Sequence, residues 1–263
     1  MDETKPLRWT LITGASEGIG LELARIAASH GRNVLLAARS RNKLEVLATE
    51  LSALGVEAVA IRADLSTPDG AKQLWEEASA GRSIDFLINN AGLGHNGRFH
   101  HAEGWEAEKR ILDVNVSALT ELTKLALPGM VERGAGRVLN VASIAGFIPG
   151  PGMAVYNASK AFVLSFSQAV NAELEGKGVT VTALCPGATQ TGFFDTAGMT
   201  GTRITQQKLP SAASVAKVGY EAAVEGRPVA IPGADNKAIA FATRLLPRSV
   251  FIGATKRLFS RSR

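Results

Sequence analysis

From Trp9 onward the chain alternates short apolar runs, many of them β-branched, with longer amphipathic stretches. Runs at 9–13, 33–38, 56–63, 84–88, 136–142, 178–184 and 228–231 predict strands, and several are apolar throughout, as strands covered on both faces are. The stretches between them have helical period: "RNKLEVLATELSAL" sets Leu44, Leu47, Leu51 and Leu54 on one stripe. Strands alternating with helices predict βαβ units with right-handed crossovers. The expected fold is α/β, a doubly wound, mainly parallel seven-stranded sheet with helices on both faces. On such a sheet ligands bind beyond the C-terminal strand ends, near the point where strand order reverses.

Composition narrows this picture. A chain of 263 residues suits one large domain, and 46% hydrophobic with 20% charged residues describes an ordinary globular protein. The single Cys185 excludes an internal disulfide framework and fits a reducing compartment. "MDETKPLRWT" has no apolar leader core, and no apolar run is long enough to cross a bilayer, so a cytoplasmic protein is expected. The net charge of +5 is local: Lys237, Arg244, Arg248, Lys256, Arg257, Arg261 and Arg263 are the seven charged residues after Asn236, with no acid among them. The basic excess therefore belongs to a tail, and nucleic acid is not an expected partner.

The candidate chemistry sits at strand ends. The first strand runs into "TGASEGIG", where Gly14, Gly18 and Gly20 let the backbone approach a pyrophosphate at a helix N-terminus. Glu17, within that turn, is expected to point away from phosphate. The second strand ends at Ala38, followed by Arg39, Ser40 and Arg41. An arginine there suits a 2′-phosphate and favours NADP(H) over NAD(H), the alternative being a solvated side chain. Asp64 after the third strand either accepts from an adenine amino group or closes a turn. "NNAG" follows the fourth strand, "NVAS" ends the fifth, and "AVYNASKAF" sets Tyr156 and Lys160 one turn apart on a helix face. Taken alone, that last pair is an ordinary solvated face.

In combination, T-G-x-x-x-G-I-G, N-N-A-G, a serine thirteen residues before Y-x-x-S-K, and "CPGATQTGF" after the sixth strand resemble the short-chain dehydrogenase/reductase family in its single-domain, Rossmann-type form, over about residues 9–232. The resemblance implies that Tyr156 is the general acid or base toward a carbonyl or alcohol oxygen, and that Ser143 polarises that oxygen. It implies that Lys160 favours the phenolate and holds the nicotinamide ribose, and that Asn115 holds a water linking Lys160 to solvent. The cofactor-binding positions it implies are Gly14, Ser16, Gly18, Ile19, Gly20, Arg39, Ser40, Asp64, Leu65, Asn90, Ala91, Gly92, Tyr156, Lys160, Pro186, Gly187, Thr189 and Thr191. The activity implied is NADP(H)-dependent interconversion of a carbonyl and a secondary alcohol by hydride transfer. A nucleotide-binding sensor or scaffold without turnover is the alternative, disfavoured by the complete set of four catalytic positions. A sugar-nucleotide epimerase is disfavoured by the glycine spacing. A homodimer or homotetramer is also implied, paired through residues 105–130 and 156–175.

Other features remain outside the motifs. His95, His100, His101 and Glu103 lack a ligand spacing, so no metal is expected. Cys185, beside Pro186, reads as packed. Residues 188–210 read as a long mobile substrate loop, and its Phe193, Phe194, Met199 and Ile204 suit a hydrophobic carbonyl compound. The basic amphipathic tail, residues 236–263, carries Ile239, Phe241, Leu245, Leu246, Phe251, Ile252 and Leu258. Packing on the domain or a subunit contact is the first expectation for it, and an anionic membrane surface the second.

Overall fold

A computed structural model of the protein describes residues 8–206 and 208–258. Seven strands form one sheet in the order β3-β2-β1-β4-β5-β6-β7: β1 (Trp9–Thr13), β2 (Asn33–Ala38), β3 (Ala58–Arg62), β4 (Ile84–Asn89), β5 (Gly136–Val141), β6 (Val179–Leu184) and β7 (Val229–Ala230). Every pairing is parallel. The strands alternate with α1 (Gly18–Ser29), α2 (Arg41–Ser52), α3 (Gly70–Ser79), α4 (Trp105–Leu112), α5 (Leu119–Glu132), α6 (Ala154–Glu173), α7 (Phe193–Thr196) and α8 (Ala212–Val224). Two helices close the described chain, α9 (Ala234–Ala242) and α10 (Arg248–Leu258).

Period-two alternation divides the core into two layers. Ile12, Val34 and Leu36 join Leu23, Leu44, Leu47 and Val215 on the face covered by α1, α2 and α8. Leu11, Leu35 and Ala37 point the other way, into Leu74, Leu122 and Met130 beneath α3 and α5. The doubly wound expectation is met, and β3 and β7 are shorter than their apolar runs. Leu54 departs from the expected stripe and is 57% exposed. The helix ends at Ser52 and the chain turns at Gly55 (φ +84°), so Leu54 lies past the last turn that could aim it inward.

Strand order reverses between β1 and β4, and beyond their C-terminal ends lies a cavity of about 690 Å³. The expected substrate loop is more structured than its composition suggests. It contains α7 and a 3-10 turn (Arg203–Gln206), and Ala197, Met199 and Thr202 are buried.

Candidate active site

The glycine turn is held in place by Asn90. Its Nδ2 donates to the carbonyls of Thr13 (2.9 Å) and Gly14 (3.1 Å), while Thr13 Oγ1 accepts from the amides of Asn90 and Ala91, both at 3.0 Å. Asn90 thus ties the end of β4 to the start of the turn. Gly14 has φ +65°, and a Cβ on Gly20 would collide with Asn90 and with the Gly14 carbonyl, so both positions require glycine. Glu17 is the N-cap of α1 without a side-chain capping bond, and no acid lies in the first turn. The first-turn amides and the helix dipole therefore remain available to an anion. The Glu17 carboxylate is instead paired with Lys43 Nζ at 3.0 Å.

At the end of β2, Arg39 and Ser40 line the cavity, as does Lys43. Arg39 makes no ion pair among the described residues, and Ser40, the N-cap of α2, makes no side-chain capping bond. Asp64 and Leu65 also line this part. The turn alternative for Asp64 is realised: Oδ1 accepts from the amide (3.0 Å) and hydroxyl (2.6 Å) of Ser66. Those bonds, with Arg39 and Arg110 nearby, hold its carboxyl below the usual range.

At the far end, the polar groups converge from separate elements. Asn115 lies in a π-helical turn (Asp113–Ala118) that joins α4 to α5, fully buried. Its Oδ1 accepts from the Leu93 amide (2.8 Å), and its Nδ2 donates to the Leu93 carbonyl (3.0 Å) and to Ser159 Oγ (3.0 Å). It therefore fastens the loop after "NNAG" to α6. Ser143 follows β5, where its Oγ accepts from Ala145 N (3.1 Å) and donates to the Pro186 carbonyl (3.4 Å). Lys160 Nζ donates to the Val141 carbonyl at 2.7 Å and lies 5.9 Å from the Tyr156 ring centre. The missing side chain of Gly92 leaves room there: a Cβ would come within 3.3 Å of Lys160 Nζ.

Burial shapes the protonation of this group. Desolvation pushes the Tyr156 hydroxyl up to about 12, opposed by its hydrogen bond with Ser143. Desolvation also pulls the Lys160 ammonium down to about 8. The expected lowering of the phenol by Lys160 is not what these residues produce by themselves. The ammonium is itself desolvated and bonded to Val141, and the phenol is held neutral. Cys185 is buried behind Lys160, and desolvation pushes its thiol up to about 12, as a packed residue.

After β6, Pro186, Gly187, Thr189 and Thr191 all line the cavity. Thr189 Oγ1 bonds the Gly187 carbonyl (3.0 Å), and Thr191 Oγ1 accepts from the Phe193 amide (3.3 Å). Ser16, Ile19, Ala91 and Gly92 line it as well. Phe193 packs on Tyr156, with ring centres 5.3 Å apart, in an apolar cluster with Met153, Phe194, Met199 and Ile204. The expected positions are thus brought to one cavity, Gly20 and Asn115 from just behind its lining.

Sequence reasoning missed several contributors. Asn157 braces the segment after Ser143, donating from Nδ2 to Ala145 O (3.1 Å) and Ile148 O (2.9 Å). Ser159 joins Asn115 and donates to the Tyr156 carbonyl at 2.7 Å. Asn236, Ile239 and Leu258 of the tail wall the cavity, with Asn236 set against Gly187. Arg261 and Arg263 of the tail lie outside the described residues.

A parallel sheet in this strand order, with a cavity at its reversal point and these polar groups around it, defines a dinucleotide-binding dehydrogenase site. Residues 8–200 match the short chain dehydrogenase family, and the chain belongs to that family of nicotinamide-dependent oxidoreductases. It is 38% identical over 201 residues to a ketoacyl reductase, HetN, of Nostoc sp., spanning 76% of this chain and 68% of that one. It is 34% identical to the human very-long-chain 3-oxoacyl-CoA reductase over 68% of this chain; the chain spans only 58% of that relative's length. A short-chain dehydrogenase of Sphingobium yanoikuyae, solved with NADPH, superposes with a TM-score of 0.82 at 33% identity, covering 98% of this chain and 97% of the other.

Proposed function

We propose that the protein is an NADP(H)-dependent reductase of a hydrophobic ketone, running reversibly to the secondary alcohol. The observation that carries this reading is the convergence of Ser143, Tyr156 and Lys160 on a cavity whose further wall is apolar. A dinucleotide fits the residues present: an uncapped helix N-terminus, two glycines with no room for a Cβ, and an opening over Lys160 left by Gly92. The cofactor supplies the hydride.

The chain's own residues handle the oxygen and its proton. Ser143 Oγ donates to the substrate oxygen, and Tyr156 Oη, a neutral phenol by burial, gives it a proton as hydride arrives at carbon. Lys160 follows from beneath as the phenol loses its proton, its charge lowering the cost of the phenolate. Asn115 holds the backbone of Leu93 and the helix of Tyr156 in register. Arg39, with the Ser40 hydroxyl and Lys43 close by, provides the cationic end that a 2′-phosphate would meet.

Phe193, Phe194, Met153 and Met199 favour an apolar substrate body, and two relatives carry ketoacyl reductase names, so a 3-oxoacyl thioester is the first compound to try. Tyr156→Phe removes the proton donor and keeps the ring packed on Phe193. Oxidation of NADPH against a panel of 3-oxoacyl thioesters and bulky ketones is expected to fall by about 10³-fold while NADPH still binds, measured by fluorescence titration. Undiminished turnover by the variant would remove Tyr156 from the chemistry.

A further inference from the structure

Helices α9 and α10, with the turn that joins them, have two unlike sides. Inward, Ala240 and Thr255 are buried, Thr255 Oγ1 donates to the Pro149 carbonyl (2.9 Å), and Ile239 and Leu258 line the cavity. Outward, the joining segment is apolar and uncovered. Phe241 is 61% exposed, Leu245 69%, Leu246 48% and Val250 53%, contributed by the end of α9, the connecting turn and the start of α10.

Cations surround this segment. Arg244 and Arg248 flank it and are exposed, and with Lys237 and Lys256 they make no ion pair among the described residues. No acid follows Asp235 to the end of the chain. Four exposed apolar side chains within residues 241–250, beside arginines without carboxylate partners, complement a surface that is anionic outside and apolar just below. A second copy of this chain would bring the same positive charge to the contact. Nucleic acid would match the arginines and leave the phenylalanine and leucines in water.

We propose that the exposed segment joining α9 to α10 docks on an anionic lipid bilayer. Phe241, Leu245, Leu246 and Val250 enter the boundary of the hydrocarbon, and Arg244 and Arg248 remain with the headgroup phosphates. The attachment is peripheral, since no helix among the described residues is long and apolar enough to span a membrane. It brings the Ile239 wall of the cavity, two residues before Phe241, toward the lipid, a short path for an apolar substrate. Only that last use rests on the proposed reaction; the docking does not.

Flotation of the full chain with vesicles of phosphatidylcholine alone, or with roughly one-third phosphatidylglycerol, tests the docking without any activity readout. Binding is expected on the anionic vesicles and not on the neutral ones. Joint replacement Phe241→Ser, Leu245→Ser and Leu246→Ser should lower the partition coefficient on the order of tenfold or more. Arg244→Gln with Arg248→Gln should lower it on the order of tenfold and remove most of its salt dependence. Circular dichroism checks the fold of each variant, and the arginine pair stands if the apolar triple fails to fold. The proposal is overturned if wild type floats with neither vesicle or with both equally. It is also overturned if the variants bind as wild type does, or if the triple change dissociates an oligomer in sedimentation velocity without moving flotation.

Discussion

At the β2 end of the cavity Arg39 and Ser40 are exposed, and Arg39 has no ion-pair partner among the described residues. At the β5 end Asn115, Ser143 and Lys160 are buried, and each is held by at least one hydrogen bond to another element or to its own loop. The difference follows from what each end must do. A flexible cation in water can find a phosphate by charge, at little cost before the ligand arrives. A group that moves a proton must be aimed in advance, and that needs partners and burial. Burial has a consequence for stability, because a desolvated ammonium is a liability in the folded state.

The largest effect should come from Lys160→Met. Folding takes the Lys160 ammonium from its ordinary 10.5 down to about 8. Below pH 8 both states hold the proton, and the folded state bears the full penalty of a desolvated charge. Between about pH 8 and 10.5 the folded chain releases the proton first, so the unfolded state binds more protons and stability rises with pH. Removing the amine should therefore stabilise the protein at pH 7 by about 2 kcal/mol, after allowing for the unpaired Val141 carbonyl, while turnover drops by at least ~10²-fold. Urea unfolding of both proteins at pH 7 and pH 10 measures the gap, which should shrink at the higher pH. A variant less stable than wild type at both values would break the contrast between the two ends.

The same contrast explains how much was legible in the sequence. Strands covered on both faces are written as apolar runs, so the sheet and its direction could be read; β3 and β7 were overextended most, β5 and β6 by one residue each. Arg39, Tyr156 and Lys160 could be placed at the cavity in advance, Arg39 from its position after the second strand and the pair from the combination of motifs around it. Asn157 and Ser159 were not, because their partners are the carbonyls of Ala145 and Ile148 and the amide of Asn115, distant in sequence and defined only by the fold. The upward push on the Tyr156 hydroxyl was hidden for a related reason. Spacing shows a cation one turn away and says nothing of how far the fold desolvates the phenol. The tail's apolar stripe was visible, yet which of its residues turn inward to Ile239 and Leu258 depended on where β7 delivered it.

The exposed end should respond selectively. With Arg39→Ala, kcat/KM for NADPH is expected to fall by about 10- to 100-fold, the loss of one charge-assisted contact to a phosphate, while kcat/KM for NADH stays within about twofold. Stability should hardly move, because Arg39 makes no ion pair within the described chain. Steady-state kinetics with both cofactors on one substrate reads the split. Equal losses with NADH and NADPH would make Arg39 a general support of the site and sharpen the question of what Lys43 does once Glu17 is its partner.

Asn157→Ala probes the buried end without touching the proton path. The substitution strands the carbonyl of Ile148 and leaves that of Ala145 with only the Ile148 amide at 3.4 Å, which should destabilise the protein by about 1–3 kcal/mol. Its Oδ1 is a buried acceptor without a partner among the described residues, so losing that oxygen costs nothing and trims the net effect toward the lower figure. The segment it braces begins at Ser143, whose Oγ also depends on the Ala145 amide. A loosened Ala145 should therefore lower kcat by about 3- to 10-fold through Ser143, with the KM for NADPH unchanged. Asn157→Asp separates the two causes: it keeps the size, loses both donors and adds a charge that burial disfavours, so it should be worse than alanine in stability and no better in kcat. If alanine lowers stability and leaves kcat untouched, the bracing supports the fold alone, and the aim of Ser143 is set by its bond to the Pro186 carbonyl.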